Sequence, residues 1–122
     1  MALIERFENI QAWRTARELT QLIYRISASG ALAKDFGLRD QLRRAAVSTM
    51  ANIAEGFDCD SKLEFARFLG IARRSAVEVQ SLLYVAIDAG YVNQNVFDGA
   101  YRQAGKTKAL IGGFKSSLSR NK

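Results

Sequence analysis

The 122-residue chain contains no histidine and no proline, has a single cysteine, and carries a formal net charge of +6. Its apolar content of 48% is ordinary for a soluble globular protein, and no stretch approaches the length of apolar sequence that a membrane span needs. The missing histidine removes the commonest general base and the commonest metal ligand, so we expect neither an enzyme nor a bound metal or other cofactor.

Apolar residues recur at helical spacing along the chain, and glycines are the main interruptions. The first helix is predicted over residues 9–29, with Asn9 as its N-cap. The segment 31–37 is expected to be a loop with a turn of helix. A second helix is predicted over 38–57, where Gly56 near the end tolerates the left-handed conformation that stops a helix.

Residues 61–64 form the clearest local signal, a capping box in which the Ser61 hydroxyl and the Glu64 carboxylate satisfy free amides of the first turn. This signal predicts a third helix over 61–89 that stops at Gly90. A fourth helix is predicted over 93–118, with a disordered tail after Lys115. Four amphipathic helices with short connections predict one all-α domain over 1–122, an antiparallel up-and-down four-helix bundle.

Helices two and three are expected to form a long central hairpin with a polar seam between them. If the hairpin turns at Cys59, Arg44 lies beside Glu78 and Asn52 lies beside Arg67, and Arg44 is then expected to form an ion pair with Glu78. The predicted seam consists of Arg44, Ser48, Asn52, Glu55, Arg67, Ser75 and Glu78.

The net charge is unevenly distributed along the chain. Residues 1–98 contain twelve basic and twelve acidic side chains, whereas residues 99–122 contain six basic side chains and no acidic one. A basic last helix either complements its own dipole and keeps the protein soluble, or forms an electrostatic surface for nucleic acid. The candidate nucleic-acid-binding residues are Arg43, Arg73, Arg102, Lys106, Lys108 and Lys115.

Other chemistry has weaker support in the sequence. The aromatic residues Trp13, Tyr24, Tyr84, Tyr91 and Tyr101 are possible platforms for stacked bases, but each falls at or beside an apolar stripe, which favours packing. The lone cysteine lies between two aspartates, a poor setting for a nucleophile. The first ten residues lack the apolar segment of a signal peptide and a lone thiol suits a reducing compartment, so a cytoplasmic protein is expected.

The run QLRRAAVSTMANIAEGF, followed by SKLEFARFLGIARRSAVE and then AGY, resembles the bacterial four-helix-bundle proteins named after the 23S rRNA intervening sequence. The segments NIAEG at 52–56 and EFARFLGIA at 64–72 are the most specific parts. The resemblance implies a left-handed bundle without enzymatic activity and, from relatives, a ring-shaped homopentamer. A related branch, the accessory proteins of diversity-generating retroelements, implies nucleic acid and a nucleic-acid-processing protein as partners.

Two classes of function remain open from the sequence. One is a non-catalytic module that binds structured RNA or DNA through backbone phosphates, and the other is a protein–protein adaptor or scaffold whose charge is incidental. Self-association is expected in both cases because residues 82–87 are apolar around the whole helix. Helix one offers a second surface for it at Ala12, Leu22 and Tyr24.

Overall fold

The computed structural model describes residues 3–120, with side chains up to residue 118, and this part of the chain contains helices and no strand. A 3-10 turn, Phe7–Asn9, precedes the five helices α1 (Gln11–Ile26), α2 (Gly30–Lys34), α3 (Phe36–Phe57), α4 (Lys62–Asp88) and α5 (Gln94–Arg120). The prediction of an all-α fold is confirmed.

The four long helices form a bundle in which each packs against its neighbours in chain order and α5 returns to α1. Side chains also cross between the helices: the Thr20 hydroxyl donates to the Ala46 carbonyl at 3.1 Å, and the Gln103 amide donates to the Thr15 carbonyl at 3.1 Å. Adjacent helices run antiparallel, so the up-and-down bundle predicted from the helical spacing is confirmed.

Two apolar clusters fill the interior, one toward each end of the bundle. Fully buried leucine, isoleucine and valine side chains from the long helices exclude water from both, which is the main favourable contribution to folding. The first cluster includes Leu19, Ile23, Leu42, Val79 and Leu83. The second includes Ile10, Ile53, Leu69 and Ile111.

Three helix boundaries differ from the prediction. The predicted N-cap Asn9 instead ends the 3-10 turn, and Ile10 holds the N-cap position of α1 without a side-chain hydrogen bond. The segment 31–37, predicted as a loop with a turn of helix, contains most of α2 and the first two residues of α3. Asp35 separates the two helices, and its Oδ1 accepts from the Leu38 amide at 3.1 Å to cap α3. Disorder after Lys115 is also wrong as far as α5 extends, and residues 121–122 lie outside the described residues.

Gly90 ends α4 as predicted, in the left-handed conformation at φ 78°. Its amide donates to the Ile87 carbonyl at 3.0 Å, and the Tyr91 amide donates to the Ala86 carbonyl at 2.9 Å. These two hydrogen bonds form a Schellman motif, which satisfies carbonyls that a helix end leaves free. The Tyr91 hydroxyl then donates to Asp35 Oδ2 at 2.9 Å, which ties the end of α4 to the beginning of α3.

Gly56 is required for a different reason from the one predicted. Among the described residues only Gly30 and Gly90 have positive φ, so Gly56 does not adopt the left-handed conformation. A Cβ atom at Gly56 would lie 2.7 Å from Phe68 Cβ and 2.8 Å from Phe65 Cδ1. The absence of a side chain therefore lets α3 and α4 approach closely at this point.

Candidate functional site

The polar seam between α3 and α4 is formed by three of its seven predicted members. The hydroxyls of Ser48 and Ser75 share a hydrogen bond at 2.9 Å, and the Asn52 amide donates to the Ser48 carbonyl at 2.9 Å and to its hydroxyl at 3.0 Å. These contacts join two helices at one fixed position. The seam is a structural element and presents no reactive group to solvent.

The other four members of the predicted seam lie on the solvent side of α3 or α4: Arg44, Glu55, Arg67 and Glu78. The predicted Arg44–Glu78 ion pair does not form within the described structure, and Arg67 binds Glu64 instead at 3.0 Å. A turn at Cys59 would have placed Ser48 beside Gly70, whereas Ser48 contacts Ser75. The helices are therefore shifted by five residues relative to the register that a symmetric turn at Cys59 predicts.

The first turn of α4 contains one half of the predicted capping box. The Ser61 hydroxyl accepts from the Glu64 amide at 3.1 Å, as an N-cap does. The Glu64 carboxylate accepts from Arg67 Nε, and this hydrogen bond lowers the pKa of Glu64. Glu64 thus forms an ion pair with Arg67 at the beginning of the helix.

Arg43 is not the unengaged cation that the sequence predicted. Its Nε donates to the Ser27 hydroxyl at 2.8 Å, and its guanidinium lies 4.4 Å from the centre of the Tyr24 ring. Ser27 is fully buried between α1 and α3, so Arg43 closes this side of the bundle. The structure therefore separates Arg43 from the basic side chains of α5.

Two of the remaining candidate cations lie across the junction of α4 and α5. Arg73 of α4 extends over α5 at Gly112, where a Cβ atom would be 3.6 Å from Arg73 Nε. Lys115 of α5 extends over α4 at Gly70, where a Cβ atom would be 3.4 Å from Lys115 Nζ. The two glycines leave room for the long basic side chains to cover the junction from opposite directions.

Farther along the same junction α4 and α5 form a groove of about 560 Å³ that is open to solvent. Two cations one helical turn apart, Arg102 and Lys106, line it on the α5 side, while Lys108 is half-buried one turn before Gly112. We call this feature the α4/α5 groove, and its lining residues are Gln80, Asp98, Tyr101, Arg102, Gly105 and Lys106.

No carboxylate neutralises these cations in the described structure. The ion pairs there join Arg6 to Glu8, Arg39 to Asp40 and Arg67 to Glu64, and none involves α5. One acidic residue, Asp98, lines the α4/α5 groove, and its Oδ1 accepts from Gln94 at 2.8 Å. The α4/α5 junction is therefore a positively charged surface suited to anionic groups. Its unpaired cations are Arg73, Arg102, Lys106, Lys108 and Lys115.

Aromatic side chains border the α4/α5 groove. The rings of Phe97 and Tyr101 are stacked, with centroids 5.4 Å apart and an interplanar angle of 24°. Tyr84, half exposed, meets Tyr101 edge-on at 5.7 Å. The electrostatic effect of the neighbouring Tyr101 hydroxyl, together with a hydrogen bond to it, raises the pKa of Tyr84 above its ordinary value.

The other candidate aromatic residues contact side chains of the bundle. Trp13 packs in the second core cluster, with its ring 5.0 Å from that of Phe7. Tyr24 lies under the Arg43 guanidinium, and Tyr91 is bound to Asp35. These three residues are explained by packing.

Two residues of the α4/α5 groove were not predicted from the sequence. Gln80 falls on the core side of α4, where a polar residue in an otherwise apolar stripe was the available signal. Gly105 falls one turn after Tyr101, and the spacing of Phe97, Tyr101 and Gly105 by four residues was the second signal. Neither signal carries meaning before α4 is placed beside α5.

The outer face of α4 carries exposed apolar residues. Leu63 is 82% exposed, Val77 is 42% exposed and Val85 is 50% exposed. Their spacing places all three on one side of the helix. Of the residues on helix one that suggested a second surface, Ala12 is buried in the core, so that prediction is wrong for Ala12.

No helix within residues 3–120 has the length and apolar character of a membrane span. No three acidic or cysteine side chains in this part of the chain converge as metal ligands would. The Cys59 thiol donates to the Glu55 carbonyl at 3.4 Å and is half-buried in the turn before α4.

Comparison with known proteins gives a family and a fold. The search of curated proteins found no match. Among solved structures, a protein of unknown function from the S23 ribosomal protein family of Bacteroides thetaiotaomicron is similar, with a TM-score of 0.78 and 21% identity over 85% of this chain and 97% of that one. The profile of the 23S rRNA-intervening sequence proteins matches residues 8–113. The helical bundle and this match over most of its length place the chain in the 23S rRNA-intervening sequence protein family.

Proposed function

We propose that this protein is a non-catalytic module that binds structured RNA or DNA through backbone phosphates at the α4/α5 junction. The observation that carries the proposal is the set of unpaired cations there. Basic side chains without carboxylate partners remain free to displace counterions from a polyanion, which is the main source of affinity in nucleic-acid binding. Arg43 is not part of this surface because it is held by Ser27 and Tyr24.

Salt dependence provides the direct test. Binding of a structured RNA and of duplex DNA is measured by fluorescence anisotropy from about 50 to about 200 mM salt, and affinity should fall with a log–log slope near −0.9 for each phosphate contacted. The double substitution Lys106→Gln and Lys115→Gln should make the slope less negative by about 1.8, which corresponds to the loss of two phosphate contacts. Lys34→Gln, an exposed change on α2, is the matched control and should leave the slope unchanged.

Absence of binding to either nucleic acid at the lowest salt would refute this function. The alternative, a protein–protein adaptor, would then be preferred. The exposed apolar residues on the outer face of α4 are the observation that favours it. An adaptor should retain its partner when Lys106 and Lys115 are neutralised and lose it when Val77 or Val85 is made polar.

The same apolar face supports self-association with a second copy of the chain. Exposed apolar residues along one side of a helix are typical of a surface that another helix covers. The number of subunits, five, comes from the resemblance to the family alone. Assembly would also bring several basic surfaces together and raise affinity for a polyanion without any new residue.

Light scattering coupled to a sizing column tests self-association. A mass of 13.5 kDa, that of one chain, would refute it. Val85→Asp should dissociate the assembly because it places a charge in the covered face. Val47→Asp is the matched control, since Val47 is comparably exposed but lies on α3.

A further inference from the structure

The geometry points to a binding site for an unpaired nucleobase with its adjacent phosphate in the α4/α5 groove. This inference rests on the proposed nucleic-acid binding and names a specific site for it. A surface that uses phosphate contacts alone accepts any polyanion. A groove that also receives a base would favour strands with exposed bases, such as loops, bulges and single-stranded ends.

An interrupted aromatic stack gives the first argument. Phe97 and Tyr101 are stacked one turn apart on α5, and the next position on the same side of the helix is Gly105. Gly105 has no side chain, and the Gln80 amide lies beside it, with Nε2 3.3 Å from the position that a Cβ atom would take. The stack therefore ends at Tyr101, which lines the α4/α5 groove next to this amide. A planar base entering there would continue the stack, and base–aromatic stacking is a recurrent source of affinity for unpaired strands.

An amide without a partner in the protein gives the second argument. Gln80 is only 8% exposed, yet its side chain forms no hydrogen bond with any residue between 3 and 120. It lines the α4/α5 groove, and its Nε2 is 3.3 Å from the position that a Cβ atom of Gly105 would take. No side-chain nitrogen or oxygen among the described residues is both fully buried and unpaired, so the Gln80 amide meets solvent in the groove. The edge of a base offers both a donor and an acceptor to this amide.

The remaining lining residues suit the rest of a nucleotide. Arg102 and Lys106 lie one turn apart and unpaired, where they can hold a phosphate. Asp98 uses Oδ1 to accept from Gln94 and leaves Oδ2 for a base amino group. The groove volume of about 560 Å³ lies within the range of small-molecule sites.

The first experiment compares a single-stranded oligonucleotide with an abasic strand of the same length by fluorescence anisotropy, at fixed salt and protein concentration. The normal strand should bind about tenfold more tightly, within the range of stacking contributions. Gly105→Leu fills the end of the stack and Gln80→Leu removes the amide at similar volume, and both should abolish the difference while leaving the abasic affinity unchanged. Gly113→Leu is the control, since nothing lies within 4 Å of a Cβ atom there.

The second experiment separates this inference from the proposed function. Adenosine 5′-monophosphate is titrated into labelled protein, and NMR should show shifts of the Gln80 side-chain amide and of the Tyr101 ring that inorganic phosphate does not cause. Equal binding of normal and abasic strands, with no such shifts, would overturn the base site and leave phosphate binding intact. Shifts with the nucleotide but no binding of any strand would refute the proposed function and identify a free nucleotide as the ligand.

Discussion

Substitution of Gly56 by alanine tests the packing of α3 against α4. The added Cβ atom would lie 2.7 Å from Phe68 Cβ, whereas carbon atoms pack at about 3.5–4.0 Å. Phe68 Cβ is fixed to its backbone, so no rotamer change relieves the contact and the two helices must separate. Overpacking of this kind costs about 1–3 kcal/mol, and it opposes a gain of up to about 1 kcal/mol in helix propensity.

We therefore expect Gly56→Ala to lower the free energy of unfolding by about 1–2 kcal/mol, which corresponds to a fall in melting temperature of about 4–8 °C. Gly113→Ala is the matched control, because it lies within α5 with open space around it and should stabilise by about 0.5–1 kcal/mol. Urea unfolding followed by circular dichroism at one protein concentration measures both variants. A Gly56→Ala variant as stable as the control would refute the close approach.

Three further changes test the helix ends and the polar seam. Gly90→Ala forces a side chain into a left-handed conformation and should cost about 1 kcal/mol in urea unfolding. The hydrogen bond to Asp35 raises the pKa of Tyr91, so the stability that this bond gives is present below the ordinary tyrosine pKa and is lost as the pH rises through the raised value. The difference in unfolding free energy between the wild type and Tyr91→Phe should therefore shrink in that alkaline range. A difference that stays constant with pH would contradict this. Ser48→Ala leaves the Ser75 hydroxyl unpaired and should lower the free energy of unfolding by about 1–3 kcal/mol. The double variant with Ser75→Ala should lower it no further, and additive losses would exclude the shared hydrogen bond.

The helices were predictable because their signals are local. Apolar spacing, the Ser61 cap and the Gly90 stop depend on residues within a few positions of each other, and all three are present in the structure. The start of α1 was missed because Asn9 resembles an N-cap but belongs to a 3-10 turn. α2 was predicted only as a turn of helix within a loop, because five residues are too few to show a periodic pattern.

Contacts between helices were less predictable, because a small shift between two helices changes which side chains meet. Symmetry about Cys59 placed Ser48 beside Gly70, whereas in the structure Ser48 lies beside Ser75. Arg43 appeared unengaged because its partner Ser27 lies on a different helix.

The sequence by itself determined an all-α bundle and the concentration of net positive charge near the C-terminus, since both follow from residue types and their spacing along the chain. The family followed from the resemblance of the sequence to known proteins. The tertiary structure alone decided which cations remain unpaired and that Gln80 and Gly105 lie together beside Tyr101. The physical reason is that a groove between two helices exists only when their faces and their register are both fixed. Contacts across the α4/α5 junction, such as Arg73 over Gly112 and Lys115 over Gly70, depend on that register, and no local pattern encodes it.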